Sequence, residues 1–464
     1  MASSANTPSV RAKRMMRLAP SNGSGVFSYT AGNPLVKFSI PDTQALLLGD
    51  EIRFCGTFLM RRDGTAAPTP IQDCNMDRTA GVQSVIQAIH IGSRRYSSNV
   101  LESIQSYARL NTQVVGMTTS SKGQRTTTYN ECGGVGRGAT SALQRETLGT
   151  MGTQDPVYQA ARKGLPTISQ VDAQGNTVGF EFAMKLTSGL LSQMVDLSVL
   201  GGLEVQITLA SNFAMSWGTD LTTGQDYQIR DPYLICPILY KSDAQVAADR
   251  AAGAQMVSFM SYTDLYSVID STDQAVVHRM NANGLVSVLQ NYVPTSFLNN
   301  QLHNSLAGYT GGAIQSIEYS KSGVRFPLEY SMAPQRTVNG VGASQGLSMY
   351  QDTALEPQIL WNAISCVKPT KDSKRSQLTS ETCRGMNKAD GIFATGVSFD
   401  QLSNAGMAVN GTITTNIRSS LQNPLVTDAA GVNTLASTPY SQYSYYYGRT
   451  NALVTPGAGI QIMS

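Results

Sequence analysis

A period of two dominates the apolar and polar positions along this chain. Val36, Phe38 and Ile40 alternate with Lys37 and Ser39 before Pro41, which predicts a strand with one face in a core. The same reading applies to IRFCGTFLM (52–60) and to GVQSVIQAIHI (81–91), where Val85, Ile89 and Ile91 are in phase. It also fits Phe180, Phe182, Met184 and Leu186, then Leu203, Val205, Ile207 and Leu209, then DYQIRDPYLICPILY (226–240). A second series follows: MVSFMSY (256–262), GLVSVLQNYV (284–293), GIFATGVSF (391–399), MAVNGTITTNI (407–417) and SQYSYYYG (441–448). Within that series, AIQSIEYSKSGVRFPLEYSM (313–332) reads as a hairpin. Ile317 and Tyr319 mark one arm, Val324, Phe326, Leu328 and Tyr330 the other, and residues 320–323 the loop. Pro327 cannot donate a ladder hydrogen bond, so the second arm is an edge, a bulge or a place where pairing stops.

Two stretches change period. Leu101, Ile104, Tyr107 and Leu110 are spaced for one face of a helix over 98–111, with Ser98 or Asn99 as cap and Glu102 in the first turn. Leu355, Ile359, Trp361 and Ile364 suggest another over 350–366. Residues 112–177 and the basic stretch 368–385 are polar and aperiodic, too long for plain connections, and predict externally packed loops. The Ala-rich segment 242–255 is the best boundary. It divides the chain into a first domain, 28–245 with its long loop 113–177, and a second, 246–464 with an insertion at 340–390. The halves share a plan of strands, helix, long loop and more strands, without residue-level similarity. Ahead of them, residues 1–27 read as a flexible basic arm: Arg11, Lys13, Arg14 and Arg17 precede the first acid, Asp42.

Composition adjusts this picture. Only 14% of the residues are charged, against roughly 25% in an average globular protein, and 42 are Gly. That balance suits an all-β protein with polar loops and broad surfaces buried against partners. A net charge of +3 over 464 residues provides no global basic field. The six cysteines are scattered without C-x-x-C spacing and there are three histidines, so neither a zinc site nor a disulfide framework is expected. Cys55 and Cys236 sit in apolar runs as core thiols, which favours a reducing compartment. No signal-peptide core and no run of roughly 18–20 apolar residues is present, so a membrane span is not expected.

The chemistry-bearing motifs are weak. Gly342-Ala-Ser344-Gln-Gly346 fits a nucleophile elbow, but its flanks do not read as strand and helix. Gly134 to Ala139 partly fits a dinucleotide loop without a preceding strand. Asn22-Gly-Ser and Asn410-Gly-Thr match the glycosylation sequon by letter alone. A carboxylate pair on a β-sandwich remains open as a glycosidase site, although Trp217 and Trp361 are the only tryptophans for sugar stacking.

In order, these segments resemble the major capsid proteins of double jelly-roll DNA viruses, especially the Polinton-like virus, adintovirus and virophage group. The resemblance covers roughly residues 35–450. Val36 to Pro41 is similar to the family's first strand, followed by Asp50 to Gly56. Leu101-Glu-Ser-Ile-Gln-Ser-Tyr107, Phe182 to Gly189 with Leu200 to Leu209, and Tyr319, Gly323 and Phe326-Pro327 are similar to later segments. At Asn404-Ala-Gly-Met407 the family's serine is replaced by Ala405.

The resemblance implies an all-β fold of two tandem eight-stranded jelly-roll sandwiches with short helices and long loops. It also implies a structural protein, not an enzyme, with no cofactor. Such a protein would be a homotrimer whose six lobes form a pseudo-hexagonal tile of an icosahedral shell around double-stranded DNA. Its partners would be itself, penton and minor capsid proteins. Arg11, Lys13, Arg14 and Arg17 would face the interior, in weak contact with the genome or an inner membrane. It would be made and assembled inside the host cell. A carbohydrate-active enzyme on a β-sandwich and a lectin-like surface protein are the rival readings.

Overall fold

A computed structural model of the chain describes residues 13–62 (except 24 and 30), 74–75, 80–118 (except 97–99), 138–139, 180–211, 225–295, 306, 314–326 (except 322–323), 363, 366, 395–399, 407–419, 422–423, 436–437 and 439–463 (except 456–458). Arg11, Cys132, Cys383, both tryptophans, the elbow match at 342–346, and most of 113–177 and 340–390 lie outside these residues.

The first half is a sandwich of two layers, each four strand ranks wide. In one layer, β1 (Lys13–Leu18) and β2 (Val26–Phe27) lie end to end along β13 (Gln225–Tyr240). On the other side of β13 come β4 (Ala45–Leu48) and β5 (Arg53–Arg62), then β11 (Met194–Asp196) and β10 (Phe180–Met184). The facing layer runs β3 (Leu35–Ile40), β12 (Leu203–Leu209), β7 (Ile86–Ser93) and β8 (Val100–Ile104). Alternation does what the sequence implies: β12 is buried at every odd position from Leu203 to Leu209. Phe38 and Phe54 join the layers edge to face at a centroid distance of 6.0 Å, and Phe54 meets Phe182 of its own layer at 5.2 Å. A short helix, α2 (Leu197–Leu200), is capped by Asp196 and closed by Gly201 in the left-handed region at φ 72°. Small ribbons pair β6 (Cys74–Asn75) with β9 (Gly138–Ala139), and β20 (Gln422–Asn423) with β21 (Ala436–Ser437).

Three expectations change here. Residues 81–85 form a 3-10 turn, so the third strand begins only at Ile86. The helix expected over 98–111 is instead strand β8 followed by α1 (Tyr107–Thr118), which takes six residues from the expected loop. Leu101, Ile104, Tyr107 and Leu110 are all buried, so the pattern located the core but not the change of element at 105–106. The N-terminal segment is an ordered strand from Lys13 onward, because Met16 and Leu18 pack against the core while β1 pairs with residues 234–239 of β13. The chain then crosses to the other layer. There Ser21 N–H donates to the Lys37 carbonyl, and the Asn22 side chain bonds both the carbonyl of Leu35 and the N–H of Lys37. Asn22 thus occupies the open edge of β3 as a partner strand would.

The segment 242–255 contains a helix, α3 (Asp243–Ala251), capped by Ser242. The second half follows as β14 (Gln255–Ile269), β15 (Asp273–Pro294), β16 (Ile314–Lys321), β17 (Val324–Phe326), β18 (Thr395–Ser398), β19 (Met407–Ser419), β22 (Tyr440–Thr455) and β23 (Gly459–Met463). By pairing, these form one continuous sheet, yet side-chain contacts show two layers. Thr415 is in register with Val276, but its Oγ1 lies 3.2 Å from Nε2 of Gln290. A straight strand would separate positions 276 and 290 by ~46 Å. β15 must therefore turn over, and it does so at the register shifts between Ala282 and Ser287. One layer is then β14, β22, the second part of β15 and β18. The other is the first part of β15, β19, β16 and β17. The hairpin of β16 and β17 is present with Tyr319 opposite Phe326, and its pairing extends to Lys321 and Val324, further toward the turn than expected.

Candidate functional site

Among the described residues, buried charged groups gather where the two halves meet. β8 and β14 run parallel and share one bridge, Ser103 with Thr263. On either side of it a carboxylate replaces the ladder. Glu102 of the first half accepts from the Tyr262 N–H of the second at 2.7 Å. It also accepts from Gly189 N at 2.8 Å, Leu190 N at 3.3 Å and the Ser188 hydroxyl. Asp264 of the second half reciprocates, accepting from Gln105 N and Ser106 N of the first, each at 2.8 Å. Those amides precede α1, so the helix is capped by a side chain some 160 residues away in sequence.

Helix α1 then lies against the second half. Arg109, buried, donates to Asn291 Oδ1 at 2.9 Å and stacks on the Tyr443 ring at 4.3 Å. Tyr445 donates its hydroxyl to the Ser106 carbonyl at 3.0 Å. Gly189 fits where nothing larger would, since a Cβ there would sit 2.7 Å from Ser261 Cα. Burial pushes the carboxyls of Glu102 and Asp264 above the ordinary range, against the hydrogen bonds that favour their ionised forms.

A second ionic node holds the connecting helix. Lys241, its side chain 2% exposed, pairs with Asp196 and with Asp249 and donates to Ser198 Oγ at 2.8 Å. All three ammonium protons thus have acceptors, and α3 is pinned to the first sandwich. The seam thus fixes one sandwich against the other, and the node fixes the connecting helix against the first.

Of the four basic positions expected to act together, the three that are described, Lys13, Arg14 and Arg17, have separate surroundings. Lys13 is ion-paired with Glu51, and Arg17 stacks on the Tyr233 ring at 3.9 Å. Arg14 points to the opposite face of β1, the face of Met16 and Leu18, and is exposed. Arg11 lies outside the described residues. Cys55, Cys236 and Cys366 are buried thiols, and burial pushes Cys236 up to about 12. Asp264, Arg109 and Lys241 have no role in the sequence reading, and Glu102 enters it only as a first-turn acid of the expected helix. The available signal was a charge standing inside an apolar alternation.

No family model matches the chain, and no curated protein matches it. Solved structures do. PBCV-1 VP54, as fitted into a reconstruction of the virophage Sputnik, is similar over 98% of this chain and 97% of its own, with a TM-score of 0.52 at 10% identity. The Faustovirus major capsid protein is similar over 98% and 92%, with a TM-score of 0.53 at 8% identity. A quasi-atomic model of the PBCV-1 virus capsid gives 98% and 97%, with 0.52 at 10%. With two sandwiches in tandem, joined edge to edge and alike over nearly their whole length to these structures, the chain has the double jelly-roll fold of viral major capsid proteins.

Proposed function

We propose that the chain is a major capsid protein that assembles with copies of itself into a viral shell. The observation that carries this reading is the match of both sandwiches, in one superposition covering 98% of the chain, to the Faustovirus major capsid protein. The physical logic agrees with it. A tile needs lobes held at a fixed offset, and the Glu102–Asp264 seam provides that. In this reading three copies form a pseudo-hexameric capsomer that tiles an icosahedral shell around double-stranded DNA. Penton and minor proteins would be further partners, and each sandwich is one domain, meeting near residue 245. The basic segment with Arg11, Lys13, Arg14 and Arg17 faces the shell interior. With Lys13 paired to Glu51 and Arg17 stacked, its attraction to phosphates is weak, with a shallow salt dependence set by the few charges left to meet phosphate.

Sedimentation equilibrium with unfolding at several concentrations tests the assembly. A trimer whose Tm rises with concentration supports it, because association and folding are then linked. A folded monomer at micromolar concentration, with no larger species, contradicts it. A carbohydrate-active enzyme remains the second class of reading, but no observation at the seam favours it: both carboxylates there are turned onto backbone amides.

A further inference from the structure

We propose that His278 is an acid-responsive latch between the two layers of the second sandwich. His278 stands on the first part of β15, is 8% exposed, and reaches across to the opposite layer. Its Nδ1 is 2.6 Å from the Tyr446 hydroxyl on β22, with the rings edge to face at 5.6 Å. Its Nε2 is 3.0 Å from Ser267 Oγ on β14. One imidazole thus joins three strands, and both nitrogens are held by neutral hydroxyls.

Among the described residues, the surroundings hold no counter-ion for a protonated ring. β14 presents Ser267 to it, β22 presents Tyr446, and the register partner on β19 is Ile413. Arg279, next on the same strand, is exposed on the opposite face, and Asp270 and Asp273 at the β14–β15 turn are exposed. Burial alone lowers the imidazole's proton affinity, with no charged group acting on it. Protonation would also convert both nitrogens into donors, so the Tyr446 hydroxyl could no longer give its proton to the ring.

The sign follows. A base that is harder to protonate in the fold stabilises the fold fully above its ordinary pKa. That contribution is lost as the pH falls through the ordinary imidazole range, near 6.5, toward the lower folded value. Glu102 and Asp264, raised by burial, act with the opposite sign, so acid favours the seam while it loosens the second sandwich. The latch therefore confines acid weakening to one lobe and leaves the joint closed.

The test is thermal unfolding of the full chain at about pH 7.5 and about pH 5, for the parent and for His278→Gln. The expected result is a Tm that falls several degrees further in the parent than in the variant. The difference between the two proteins is what counts, because both carry the same seam carboxylates. Equal falls overturn the proposal. Should His278→Gln not fold, amide exchange on the parent decides. Protection lost on acidification in 276–280 and 444–448, but kept in 203–209 after correction for intrinsic rates, supports the latch. Uniform loss, or none, overturns it.

Discussion

The two sandwiches solve the same packing problem with different chemistry. The first fills its interior mainly with Val, Ile, Leu and the Phe rings of Phe27, Phe38, Phe54 and Phe58, each 0% exposed, with Tyr107 and Tyr227 beside them. The second places Tyr292, Tyr319, Tyr440 and Tyr445 at the same depth, among Gln290, Thr395, Thr415, Gln442 and Ser444. Gln290 shows why this is tolerated. Its Nε2 donates to Thr415 and Ser444, and its Oε1 accepts from Tyr292 at 2.7 Å and Tyr319 at 2.8 Å, so the carboxamide has all four partners. An apolar core is forgiving in direction and depends on volume. A satisfied polar core depends on direction and punishes the loss of any one partner. The lesson is that two lobes of similar outline can differ in what breaks them.

The largest effect is expected where the lobes join. Glu102→Ala leaves the N–H groups of Gly189, Leu190 and Tyr262 without their acceptor, at a cost of ~3–5 kcal/mol by denaturant unfolding. If both lobes then unfold in separate transitions, the seam couples them. A single unshifted transition would remove the seam from the account. Next comes the apolar core, where Phe54→Ala should cost ~3–5 kcal/mol, at the lower end if the site collapses, with little dependence on pH.

The polar core should respond to smaller edits. Tyr319→Phe keeps the ring and removes one donor to Gln290, at a cost of ~1–2 kcal/mol, whereas Phe58→Tyr, adding a hydroxyl to the first core, should cost at least as much. Reversed costs would mean that the contrast between the cores is only compositional. The smallest effect belongs to Lys13→Ala, below ~1 kcal/mol, since the pair with Glu51 is nearly half exposed on each side. Its effect on shell assembly should exceed its effect on stability, as assembly yield at two salt concentrations can show.

How much of this could be read from the sequence depends on where each partner lies. Strands such as β3 and β12 were legible because alternation is local and each face has one environment. The junction between β8 and α1 was not, since the cap of α1 is Asp264, far along the chain. Leu101, Ile104, Tyr107 and Leu110 carried the burial signal through both elements, and a three-residue spacing concealed the break. β1 reads as part of a flexible basic arm because Lys13, Arg14 and Arg17 outweigh Met16 and Leu18 in a short window, while its partner strand is β13. Lys241 and Glu102 look like ordinary charges until the fold surrounds them. The turnover of β15 left no local mark beyond Asn283-Gly284.

Cryo-electron microscopy of the purified, assembled protein tests the central claim most directly. The account predicts a threefold capsomer with six β-sandwich lobes, two per chain, with Glu102 and Asp264 inside each chain at the junction of its own pair of lobes. Particles showing isolated chains, or lobes of one chain separated and docked on different neighbours, would contradict it.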